Sequence, residues 1–83
     1  MYDIKKNKYS YDENGLRHGE YVIYYDNGRV NYSINFLHDI KHGLWEGYNY
    51  DGELLHRGYM NMGRKIGYWY YSYQQNEYYL WLI

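Results

Sequence analysis

Cysteine, proline, alanine and threonine are all missing from the 83 residues, and phenylalanine occurs once. Without cysteine the chain has neither disulfides nor a thiolate metal site to brace it, and nothing requires an oxidising compartment, so a cytoplasmic location is expected. Long apolar runs are missing too. The longest, YYLWLI at 78–83, has six residues, far short of the roughly 20 that a membrane-spanning helix needs. MYDIKKNKYS at the start has the charge of an export signal but no apolar stretch behind it, so neither export nor a transmembrane segment is expected. Nor is there a surplus of one charge. Lys+Arg 9 against Asp+Glu 10 leaves a net charge of −1, and no overall field recruits nucleic acid or an anionic membrane.

What the chain has in abundance is tyrosine, 16 of 83 residues, with asparagine and isoleucine beside it. Aromatic and β-branched side chains suit a pleated surface, so the composition predicts strands and turns and an all-β class. The same residue types have A/T-rich codons, which fits a low-GC bacterium or its phage. Eighty-three residues allow one small domain.

An offset of 24 aligns HGEYVIYYDNGRV (18–30) with HGLWEGYNYDGEL (42–54) and IGYWYYSYQQNEY (66–78). Gly19, Gly43 and Gly67 coincide, as do Tyr21, Trp45 and Trp69, and the turn residues Gly28, Gly52 and Asn76. The single domain, 1–83, then divides into a half-repeat, 1–17, and units 18–41, 42–65 and 66–83. Arg17-His18-Gly19 resembles the signature of the histidine phosphatases, but the motif recurs along the chain and the chain is too short for their α/β sheet. It therefore reads as a structural joint.

Asn27-Gly28 and Asp51-Gly52 are preferred pairs for two-residue type I′ turns, with Gln75-Asn76 a poorer substitute. Between these hairpins Asn14-Gly15, His38-Asp39 and Met62-Gly63 reverse the chain again. The prediction is an antiparallel meander of about seven strands in a single-layer twisted sheet, near 2–11, 19–26, 29–37, 40–50, 53–61, 64–74 and 77–83. In that register Trp45 lies opposite Gly58 and Tyr32, Trp69 faces Leu82 and His56, Ile34 falls between Tyr21 and Gly43, and Gly58 pairs with Gly67. The repeated glycine is expected to clear room for a neighbouring ring. One face carries Tyr21, Ile23, Tyr25, Val30, Tyr32, Ile34, Phe36, Trp45, Leu54, Trp69, Tyr71, Tyr73, Leu80 and Leu82. The other carries Glu20, Tyr24, Asn31, Ser33, Asn35, Glu46, Tyr48, Arg57, Tyr59, Tyr68 and Tyr70.

A 24-residue period with an aromatic strand, an Asn-Gly or Asp-Gly turn and a closing Gly-x-[Tyr/Trp] resembles the MORN repeat. The likeness is to the bacterial variant of small antitoxin-like proteins, carried here by GRKIGYWYYS and KHGLWEGYNYDGEL over about residues 8–83. Asn76 in place of the turn glycine and Ile66 in place of the histidine depart from it. The resemblance implies an elongated one-layer sheet that binds proteins, or occasionally anionic lipids, with no catalytic role for the repeat itself.

His18 and His42 sit two strands apart, roughly 9–10 Å, too far to share a zinc ion whose ligands lie about 2 Å from it. No metal and no cofactor is expected. Ser10, Ser33 and Ser72 are the only serines and most carboxylates fall in turns, so no catalytic residue is expected either. Arg17, Lys41, Arg64 and Lys65 are expected along one sheet edge, with Asp26, Asp51, Glu53 and Glu77 along the opposite one. Tyr24, Tyr48, Tyr59, Tyr68, Tyr70, Tyr79 and Trp81 are the candidate partner-binding residues, because a rigid ring buries much area at small entropic cost. The expected function is non-enzymatic binding of a partner protein, as an inhibitor or antitoxin-like protein that could be phage-encoded. The alternative is a phosphate-bearing ligand, whether nucleotide, RNA or anionic lipid, on the basic ridge. The strand 77–83 lacks proline and lysine and is expected to pair with a second copy or a partner.

Overall fold

A computed structural model of the chain describes residues 6–74 and 76–82; Gln75 of the third expected turn, Ile83, and the first part of the expected strand 2–11 lie outside these. Six strands pair antiparallel in chain order: β1 (Gly19–Tyr24), β2 (Val30–Leu37), β3 (Ile40–Tyr48), β4 (Leu54–Asn61), β5 (Arg64–Tyr73) and β6 (Asn76–Leu82). The chain measures 39 × 38 × 10 Å, a single layer. The described residues include no helix long and apolar enough to cross a membrane. In place of the expected first strand, residues 6–18 make two isolated bridges, Lys8 with Val22 and Tyr11 with Arg17. This segment straps the outer edge of β1.

The turns exchange roles relative to the sequence expectation. Tyr25–Gly28 and Asn49–Gly52 are closed by Gly28 and Gly52 N–H bonds to the carbonyls three residues back, at 3.0 Å each, and Asp12–Gly15 repeats the pattern at 3.1 Å. Only the glycine of each has positive φ, between 81° and 90°, the form of a longer hairpin with a glycine bulge. Among the described residues the two-residue turns with positive φ at both positions are instead His38-Asp39 (45°, 73°) and Met62-Gly63 (49°, 85°). The third hairpin pairs Tyr73 with Asn76, so its turn begins at Gln74 and not at Gln75. Trp69 accordingly meets Leu80, and Leu82 meets Gly67.

Bulges correct the remaining register. Beside the first two hairpin turns the pairing advances from Ile23↔Tyr32 to Tyr24↔Val30, and from Gly47↔His56 to Tyr48↔Leu54, leaving Asn31 and Leu55 as extra residues. One extra residue reverses alternation. Leu54 therefore joins Tyr59 and Tyr68 on the face opposite the tryptophans, with Val30 at the equivalent position, while Asn31 lies beside Trp45. Each bulge also offsets the longer turn, which is why Tyr21↔Ile34 and Trp45↔Gly58 stand as the sequence predicts.

A wider bulge occupies each repeated glycine in β3 and β5. From Phe36 to Ile34 β2 advances two residues while β3 advances four, from Lys41 to Trp45. From Tyr59 to Arg57 β4 advances two while β5 advances four, from Ile66 to Tyr70. Trp45 thus pairs with Ile34 rather than Tyr32, and His56 with Tyr71 rather than Trp69. Gly43 and Gly67 sit in these bulges at φ 101° and 73°, and an added Cβ at Gly67 would meet nothing. The repeated glycine is selected by backbone conformation, not by the space a ring needs. Gly43→Ala is expected to cost about 1–3 kcal/mol through backbone strain, read as a lowered denaturation midpoint with an unchanged slope.

The buried side chains are Ile34, Phe36, Met60 and Trp69 on the tryptophan side, here the front, and Val22 on the back, its backbone bridged to Lys8. The front builds its core from rings laid edge to face: Tyr9 and Phe36 lie 5.1 and 5.0 Å from Tyr21, and Trp45 lies 5.7 Å from Trp69. Burial pushes the Tyr21 phenol up to about 12.

His56 belongs to this core, its ring 5.8 Å from Trp45 and filling the space above Gly47. Burial first, and the charge of Lys65 second, hold its pKa below the ordinary 6.5. The unfolded chain then binds the proton more readily, so the folded state loses stability as pH falls through about 6.5 toward the lower folded value. Melting temperature is expected to drop across that window, and His56→Leu to reduce the drop. Asp12 and Asp39 act at lower pH, held below the ordinary carboxylate value by the His38 and Arg17 side chains respectively. Their contribution is present above the ordinary value and lost as pH falls through the depressed one.

Candidate functional site

The back of β4, β5 and β6 gathers five of the seven candidate rings. Cross-strand pairing sets Tyr68 beside Trp81, ring centroids 4.6 Å apart, and Tyr70 beside Tyr79 at 5.4 Å. Tyr59 on β4 completes the cluster, and with Leu54, Arg57, Tyr68, Tyr70 and Tyr79 it lines a shallow groove of about 330 Å³. Tyr59, Tyr68, Tyr79 and Trp81 are between 56% and 67% exposed, values that leave most of each ring available for contact.

A polar row borders the groove. Arg57 pairs with Glu46 across the β3–β4 ladder at 3.4 Å, and the Tyr48 hydroxyl donates to the same carboxylate at 3.2 Å. Burial, then the Glu46 charge, raises the Tyr48 pKa, so this phenol stays protonated and keeps donating. Tyr70 is also raised, chiefly by burial. Tyr48 thus flanks the cluster across one strand. Tyr24 does not join it: it lies on β1, where its N–H donates to the Asn7 side chain at 2.9 Å. Leu54 and Arg57 are groove residues that the candidate set omits. Leu54 is hidden by the extra residue Leu55, which no composition signal marks, whereas Arg57 is legible from its alternation with Tyr59.

The basic residues occupy both faces. On the front, Arg17 lies 4.3 Å from the centre of the Phe36 ring, Lys41 4.7 Å from Trp45 and Lys65 4.7 Å from Trp69. In each case it is the charged group itself that lies over the ring face, a cation–π arrangement that caps the front core. Arg17 also pairs with Asp39 at 2.5 Å. Arg64, one residue before Lys65, falls on the back by alternation.

The joint histidines have a defined task. His18 Nδ1 accepts the His38 N–H and His42 Nδ1 accepts the Met62 N–H, each at 3.1 Å, so each imidazole holds the first residue of the next two-residue turn. His38 in turn stacks on His18 at 4.3 Å and bonds Asp12 at 2.8 Å. Ile66 stands at the third equivalent position, and no such turn lies beside it among the described residues. His18→Ala is expected to lower stability by about 0.5–1.5 kcal/mol, the net value of one hydrogen bond, measurable by thermal melting. Among the described residues no three His, Cys, Asp or Glu side chains converge as metal ligands. In comparisons with protein families, curated proteins and solved structures, nothing matches this chain.

Proposed function

We propose that the chain is a MORN-like, non-enzymatic protein-binding module of the cytoplasm, a small inhibitor of antitoxin or phage type that blocks a target protein through the back-face rings. The observation that carries this reading is the cluster of Tyr59, Tyr68, Tyr70, Tyr79 and Trp81 on a sheet 10 Å thick, with no second layer over it among the described residues. Soluble chains rarely leave such a patch uncovered without a binding use, and Tyr and Trp dominate protein hot spots. Arg57 at the groove supplies a cation that can meet a carbonyl or carboxylate of the target. A binding role is also supported by the polar groups elsewhere, since His18, His42, Asp12 and Asp39 are engaged in holding turns.

Benzoylphenylalanine placed at Tyr68 tests the reading, with the same photo-cross-linker at Tyr32 on the front as control. A protein adduct formed from position 68, absent from position 32 and abolished by Tyr59→Glu, is the expected result. An RNA or phospholipid adduct that moderate salt removes would shift the assignment to the phosphate-bearing ligand and to Arg17, Lys41, Arg64 and Lys65. No adduct from position 68 in the cells of origin would remove the proposal.

A further inference from the structure

We propose that β6 is the seam of a symmetric homodimer, in which two chains pair their β6 strands antiparallel about Tyr79 and join two six-stranded sheets into one. The inference rests on the edge of the sheet and stands whether or not the target of the back-face rings is found.

The two edges of the sheet differ in kind. At β1 the strap occupies part of the outward edge: Lys8 and Val22 exchange N–H···O bonds of 2.8 and 2.9 Å, and Asn7 takes the Tyr24 N–H. At β6 nothing covers the outer side among the described residues, and β5 is its only neighbour. Protected edges carry lysine, proline, a bulge or an inward charge. The strand NEYYLWL has none of the first two and a single charge, Glu77, and the β5–β6 pairing runs without a register shift. Rings and aliphatic groups stand exposed on both of its faces, from 45% at Tyr78 to 66% at Tyr79.

These features select a second copy. Pairing β6 of one chain to β1 of the next would propagate an open filament, and the strap blocks that route. Pairing β6 with itself closes after two chains. A twofold axis normal to the sheet keeps each face on its own side, so the paired residues must have the same parity. Among the allowed registers the one centred on Tyr79 overlaps all seven residues of Asn76–Leu82. It sets Tyr78 against the partner's Leu80 on the front and Glu77 against the partner's Trp81 on the back, and it keeps the two Glu77 carboxylates apart. Because Tyr79 lines the back groove, the partner's Tyr79 would extend that groove across the seam.

The absence of cysteine makes the register directly testable. Tyr79→Cys places two thiols opposite each other within disulfide reach, whereas Tyr78→Cys places them on a diagonal beyond it. Under mild oxidation the first variant is expected to cross-link to a dimer nearly completely and the second at least about tenfold more slowly. Light scattering of the parent chain should give twice the chain mass, falling to the monomer value for Trp81→Glu with the circular dichroism spectrum retained. A parent chain that scatters as a monomer at high concentration would overturn the dimer. A dimer in which Tyr78→Cys cross-links as readily as Tyr79→Cys would overturn the register.

Discussion

Trp69→Ala is expected to be among the most damaging single truncations in the chain, costing about 3–5 kcal/mol. The indole is 1% exposed, the one side chain fully buried among the described residues. It packs edge-on against Trp45 at 5.7 Å and near-parallel to Tyr71 at 6.3 Å, and Lys65 lies over it. Its Nε1–H donates to the Tyr59 carbonyl at 3.1 Å, beside the β5 bulge. Truncation therefore opens a cavity and orphans a carbonyl together. Native domains hold only about 5–15 kcal/mol in reserve, so the variant should be largely unfolded at moderate temperature. Trp45, its equivalent one repeat earlier, is only half-buried and should cost distinctly less. Urea titrations of the two alanine variants decide the order: equal midpoints would mean that the bulge does not concentrate the core on Trp69.

Gly58→Val should approach the same severity from the opposite direction. A Cβ at this position would lie far inside van der Waals contact of Cδ2 and Cε2 of the Trp69 ring. Overpacking costs about 1–3 kcal/mol where neighbours can yield, and a fully buried indole braced by Trp45 and Tyr71 yields little. The coupling can be measured. In a Trp69→Ala background the added cost of Gly58→Ala should fall to near zero, because the atoms it strikes are gone. Additive losses in the double variant would show that Gly58 is required for its backbone and not for the ring.

Turns and face alternation were the legible part of this fold. Asn-Gly, Asp-Gly and Met-Gly placed the reversals, and the period of 24 placed them again one unit on, because turn chemistry acts over three or four neighbouring residues and needs no tertiary context. Tyr59, Tyr68 and Tyr70 fell on one face for the same local reason: strand side chains alternate. Turn type was less legible. Asn27-Gly28 can close a two-residue or a longer hairpin, and the structure adopts the longer one, with Asn31 as the compensating extra residue.

Composition and periodicity by themselves determined the class, the meander order, the joint positions and the side of the sheet on which most tyrosines stand. Only the tertiary structure decided the bulges at Gly43 and Gly67, and through them which residues meet. A glycine in a strand reads identically whether it clears space, as Gly47 and Gly58 do, or takes a positive φ, as Gly43 and Gly67 do. The choice depends on what the neighbouring strand presents: the Asn35 side chain donates to the Leu44 carbonyl at 3.0 Å beside one bulge, and the Trp69 indole donates to Tyr59 beside the other. Those partners lie nine and ten residues away in sequence, on adjacent strands. Hydrogen bonds across a ladder are set once the strands are paired, so no local pattern could announce them.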